Sequence, residues 1–215
     1  MSLTLHFHPL SSFSQKVVTA LYETGTPFTP YIVDFFNPVE NTKFKRLWPI
    51  GKIPVLRDDA RDCTLPETTV IIEYLAQHYP GPSRLIPSDP DLARQVRLLD
   101  RVYDLYVDVP MQKIVTDRLR PEGQHDSYGV DQAKAMLEVT YGVIDQQIRG
   151  QQWAVGDTFT LADCAAAPAL YYANLVVPFG QGHQPTTDYF QRLMERPSFA
   201  RAVKEAEAYR SLLPV

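Results

Sequence analysis

The chain has 215 residues, with 45% apolar and 21% charged residues, the balance of a folded globular protein and not of a disordered one. The formal net charge of −4 offers no basic excess to follow a phosphate backbone, which argues against nucleic acid as a partner. Two distant cysteines, Cys63 and Cys164, form no Cys-x-x-Cys pair, which argues against a disulfide framework and a zinc ribbon. No stretch approaches the roughly 20 continuous apolar residues of a membrane span. The first residues lack the basic and apolar regions of a secretory signal, so the expected location is the cytoplasm.

In chain order, Leu3, Leu5 and Phe7 alternate with Thr4 and His6, which predicts a short strand ended by Pro9. Ser14 to Glu23 carries Val17, Val18 and Leu21 at helical spacing, with Gly25 just beyond. Pro27 to Val33 reads as a second strand, which completes a βαβ unit. Asn37 to Trp48 is ambiguous, an irregular helix at most. Ile53–Leu56 reads as a third strand, Asp58-Asp59 as a turn, and Cys63–Leu65 as a fourth strand in an antiparallel hairpin. Glu67 to Tyr79 is helical and stops at Pro80-Gly81-Pro82. A Pro/Ser/Asp-rich linker follows to Pro90.

Beyond the linker the period is helical. Leu92 to Leu119 is one helix or two joined near Pro110, followed by helices over Asp131–Arg149, Leu161–Val177, Thr187–Arg196 and Ser198–Tyr209. The expected fold is α/β, a thioredoxin-like domain with a mixed four-stranded sheet over residues 1–80, then the linker 81–90 and an all-α domain over 91–215.

Three places bring backbone groups and polar side chains to the ends of these elements. Leu10-Ser11-Ser12-Phe13-Ser14 joins the first strand to the first helix, where free amides and the positive helix end favour an anion. The same serines also serve as ordinary helix caps. Lys52-Ile53-Pro54 enters the third strand through a proline; a cis bond there would turn the backbone of Ile53 to an extended ligand, and Lys52 suits a carboxylate. Glu67-Thr68 opens a helix after Pro66, where amides and a hydroxyl suit a carboxylate and the glutamate an ammonium. Thr160-Leu161-Ala162-Asp163 has the spacing of a capping box before the most apolar helix.

Together, the serine loop, Lys52-Ile53-Pro54, Glu67-Thr68, Thr160–Asp163 and the helical second half resemble the cytosolic glutathione transferase family, in its bacterial serine-type, theta- or zeta-like form. The resemblance implies that Ser11 donates to the glutathione thiolate and lowers its pKa. It implies that Ser12 and Phe13 contact glutathione from the loop, that Ile53, set by Pro54, pairs with the cysteinyl backbone, and that Lys52 meets the glycyl carboxylate. Glu67 and Thr68 would hold the γ-glutamyl end, and Asp163 would be structural. Leu10, Tyr106 and Met111 would wall the pocket for a hydrophobic electrophile, although the stripe of Tyr103, Tyr106, Val107 and Met111 equally suits core packing. Four positions depart from the usual pattern: Trp48 ahead of Pro49, Thr68 after Glu67, His6 where other classes use tyrosine, and Phe13 in place of the zeta-type cysteine.

The expected activity is conjugation of glutathione, as co-substrate, to an apolar electrophile by a homodimer, with no metal and no membrane partner. Isomerase, dehalogenase, peroxidase or lyase chemistry on glutathione is one alternative. A non-catalytic protein-association module is the other. His6 and His8 read as hydrogen-bonded wall residues.

Overall fold

A computed structural model describes residues 2–214. Strand β1 (Leu3–Phe7) alternates buried and half-buried side chains, as its period of two requires. Helix α1 (Ser12–Thr24) is capped by Ser11, whose Oγ accepts from the Ser14 amide at 3.2 Å. It closes at Gly25 in a left-handed conformation with φ 63°. Strands β2 (Thr29–Ile32), β3 (Val55–Asp58) and β4 (Cys63–Pro66) complete a sheet of order β2-β1-β3-β4. The β1–β2 pair is parallel, and the β1–β3 and β3–β4 pairs are antiparallel. Helix α3 (Thr68–His78) follows β4 directly.

The ambiguous segment is a regular helix, α2 (Pro38–Leu47). Its ends carry strong signals: the Asn37 side chain accepts from the Val39 and Glu40 amides, and Lys45 and Arg46 sit in the last turn. Only Phe44 is buried, so no apolar stripe marks it. The third strand lies two residues later than expected. Asp58 is its last residue and not merely a turn. One carboxylate oxygen accepts from the Ala60 amide, and the other from the hydroxyls of the half-buried Tyr74 and Tyr79.

The second half is helical: α4 (Pro90–Val102), a π-helical segment (Tyr103–Asp108), α5 (Val109–Asp117), α6 (Ser127–Ile148), α7 (Leu161–Val176), α8 (Gln184–Glu195), α9 (Pro197–Ala206) and a 3-10 turn (Glu207–Leu212). Where Pro110 predicts a join, the chain passes without a break from i→i+5 bonding ahead of the proline into an α-helix. One continuous core runs from Leu5 and Leu21 through Tyr103 and Leu170 to Phe199, so both halves pack as a unit. A smaller cluster of Val33, Phe44 and Val55 lies under α2.

The α7 N-terminus holds the expected capping box. Asp163 accepts from the Thr160 amide and hydroxyl at 2.8 and 2.9 Å, and from the Ala154 amide and Tyr189 hydroxyl at 2.8 and 2.7 Å. All four partners donate, so an amide nitrogen in place of one oxygen would face donors. Asp163→Asn is expected to lower stability by about 2 kcal/mol in chemical denaturation, with the unfolding slope unchanged.

Candidate active site

A cleft of about 340 Å³ opens between the sheet-bearing half and the first helices of the second half. One wall is Phe13 from the first turn of α1, Trp48, Lys52, Ile53 and Pro54 before β3, and Pro66, Glu67 and Thr68 at the β4–α3 junction. The opposite wall is Arg101, Asp104, Leu105, Val109 and Gln112. The Ile53–Pro54 bond is cis, and Ile53 precedes β3 without joining its ladder.

Glu67 has φ 69° and ψ 116°, a region that a residue with a side chain rarely occupies. Its carbonyl still accepts from the Ile71 amide at 2.9 Å and so begins α3. Its carboxylate does not cap that helix. The first-turn amides of α3 therefore meet the cleft together with the Glu67 carboxylate. This combination accommodates a ligand end that carries both a carboxylate and an ammonium.

The serine loop meets the cleft through Phe13. The Ser11 oxygen accepts from the Ser14 amide, which leaves its O–H proton as a donor. Ser12 is buried and donates to Asp108 Oδ2 at 3.0 Å, while Gln112 Nε2 lies 3.5 Å from the same hydroxyl. Behind the loop, Lys16 is buried, with its Nζ 2.6 Å from Asp100 and 2.7 Å from Asp104. Thr69 donates to Asp100 at 2.7 Å. Asp100, Asp104 and Asp108 thus form a buried column with a four-residue repeat, facing α1. Burial holds the Asp104 carboxyl above its ordinary value despite Lys16.

Burial pushes the Asp108 carboxyl up to about 7, against the opposing Ser12 hydrogen bond. The folded state then keeps a proton that the unfolded chain releases near pH 4, so stability falls as pH rises from there to about 7. Asp108→Asn removes that penalty. Its stability relative to the wild type is expected to be greater at pH 8 than at pH 5 by about 3 kcal/mol, read from urea midpoints at both values.

Of the residues singled out in the sequence, Phe13, Lys52, Ile53, Pro54, Glu67 and Thr68 come together on the cleft wall. Ser11 and Ser12 adjoin it at the start of α1. Leu10 is half-buried and precedes them. Met111 is packed in the core with Tyr103 and Val107, and Tyr106 is 48% exposed and does not line the cleft. The helical stripe is therefore mainly core, and Leu105 and Val109 supply the apolar wall in its place. His6 packs on Tyr31 and Phe44, and His8 accepts from the Leu10 amide; burial lowers the pKa of both. Tyr172 is buried and receives the Gln15 amide. Among the described residues no cluster of three His, Cys, Asp or Glu side chains is placed to hold a metal. Lys16, the aspartate column and Gln112 escape sequence reasoning; the only signal was three aspartates four residues apart on one helical face.

The model of the glutathione S-transferase N-terminal domain matches residues 5–83, and that of the C-terminal domain matches residues 102–197. Glutathione S-transferase GstB of Escherichia coli K12 is 26% identical over 203 residues, covering 94% of this chain and 97% of the relative. FtsZ-localized protein A of Caulobacter vibrioides is 30% identical over 207 residues, covering 91% and 88%. A crystal structure of a glutathione S-transferase from Methylobacillus flagellatus, with GSH bound, superposes with a TM-score of 0.84 at 27% identity, covering 94% of this chain and 98% of the other. No helix among the described residues is long and apolar enough to cross a membrane. With both domain models matched in order over a thioredoxin-like half and a helical half, the chain belongs to the glutathione S-transferase family.

Proposed function

We propose that this glutathione transferase binds glutathione in the cleft, ionises its thiol with Ser11 as hydrogen-bond donor, and joins the sulfur to an apolar electrophile. The observation that carries the reading is the convergence of Ile53-Pro54, Lys52 and the Glu67-Thr68 helix start on one cleft beside the serine loop. Glu67 and Thr68 hold the γ-glutamyl end, the Ile53 backbone pairs with the cysteinyl unit, and Lys52 meets the glycyl carboxylate. Ser12 and Phe13 close the loop side. A thiolate is the nucleophile, so donors fixed at the sulfur lower the barrier without reorganising. The electrophile sits against Leu105 and Val109. We assign residues 1–80 to glutathione, 81–90 to the linker and 91–215 to the second substrate, in a cytoplasmic homodimer of the bacterial serine type.

Calorimetric titration with reduced glutathione tests this. The wild type is expected to bind. Glu67→Ala should lose at least about tenfold in affinity, because a charge-assisted contact is removed. Ser11→Ala should stay within about threefold, because its donor matters to the thiolate and not to anchoring. Absence of wild-type binding would overturn the reading. It would favour a protein-association role, which the 30% identity to FtsZ-localized protein A makes the second reading. A panel of electrophiles, peroxides and maleyl-type acids separates conjugation from other glutathione chemistry.

A further inference from the structure

The buried acid column has more negative charge than nearby cations to meet it. Lys16 is engaged by Asp100 and Asp104, and Arg101 reaches only Asp104, at 3.3 Å. Asp108 has no cation of its own. Its Oδ2 accepts from Ser12, and its Oδ1 is buried with no partner among the described residues. The titratable and charged groups that face it are Asp104 on the same segment, Lys16 on α1 and Tyr172 on α7. Ser12 Oγ has a second neighbour in Gln112, which lines the cleft. One buried carboxyl is thus two hydrogen-bond steps from the substrate surface.

We propose that Asp108 is a positioning residue for thiol ionisation, its proton setting the direction in which the Ser12 hydroxyl donates. The inference rests on the glutathione reading above. With Asp108 ionised, Ser12 gives its proton to Oδ2 across the 3.0 Å contact and turns only lone pairs away from it. With Asp108 protonated, the carboxylic O–H donates to Ser12 Oγ. Ser12 Oγ then accepts from the carboxylic O–H and from Gln112 Nε2, and its own proton turns away from both, where it serves an anion at the loop. The proton comes from solvent, and no heavy-atom bond is made or broken. The turned hydroxyl and the missing negative charge both favour a thiolate at the loop. Asp108 and the thiol therefore titrate as a coupled pair, each ionised form opposing the other. Burial of Asp108 places its titration near neutral pH, where a thiol lowered from about 8.5 also ionises.

The test follows the ultraviolet absorbance of the thiolate of bound glutathione against pH in the full-length protein. The wild type should titrate over a wider range than a one-proton curve. Asp108→Asn cannot ionise, and its amide donates permanently to Ser12. It should give a one-proton curve with its midpoint about one pH unit lower. The same substitution on a Ser12→Ala background should give less than half of that shift, because only the through-space charge remains. Equal midpoints in wild type and Asp108→Asn, with both binding glutathione, would overturn the inference and leave the glutathione reading standing. A full shift without Ser12 would overturn the Ser12 route. Failure of the wild type to bind glutathione would overturn both. Should Asp108→Asn not fold, Ser12→Ala alone decides: a raised midpoint and a narrower profile support the proposal, and an unchanged titration overturns it.

Discussion

Ser11→Ala is expected to lower kcat/KM for an apolar aryl electrophile by about 10²–10³-fold, the usual cost of one preorganised donor at a developing or resident anion. The bound thiol should move back toward its unperturbed value near 8.5, so much of the loss should be recovered at alkaline pH. Ser11 also caps α1, and losing that cap costs about 1 kcal/mol of stability. The two roles come apart in other variants. Ser11→Asp keeps an acceptor for the Ser14 amide but has no proton to donate, so stability should return without activity. Ser11→Thr keeps both roles and should stay within about tenfold of the wild-type rate. A wild-type rate in Ser11→Ala, with glutathione still bound, would remove Ser11 from thiol activation.

The parts of the site that were legible in the sequence are those written in backbone chemistry. Pro54, Pro66 and the capping serines each mark an element end, so Ile53, Glu67, Thr68 and Phe13 could be placed at strand and helix ends from chain order, and the family resemblance implied that those ends share one site. The opposite wall could not be placed this way, because its register depends on helix phase. The π-helical turns over Tyr103–Asp108 advance the cleft face to Leu105 and Val109, and an uninterrupted 3.6-residue period cannot show that. Helix α2 was hidden for a different reason. Its ends are well capped, but it buries one residue, so the apolar signal that identifies most helices is missing. Asp100, Asp104 and Asp108 carry no apolar signal, and their burial depends on Lys16 and Ser12, from the other half of the molecule, packed against them.

Lys16→Met should be among the most destabilising single substitutions, costing about 3–5 kcal/mol. Lys16 is 1% exposed, and its ammonium is shared by two buried carboxylates and lies 3.3 Å from the Thr69 hydroxyl. Methionine fills nearly the same volume, so the loss is electrostatic and not a cavity. Two aspartates are left facing each other on one helical face with only the half-exposed Arg101 nearby. Burial already holds Asp104 above the ordinary carboxylate range, and removing the ammonium raises it further. A raised carboxyl favours the folded state while it is protonated and loses that advantage as pH climbs. The gap between Lys16→Met and wild type should therefore narrow in acid and widen toward neutrality. Neutralising the column tests the same point from the other side. Adding Asp100→Asn and Asp104→Asn to Lys16→Met should recover most of the stability lost by the single variant, because no unpaired charge remains. If the triple variant is as unstable as the single one, Lys16 acts through packing against α7 and not through its charge.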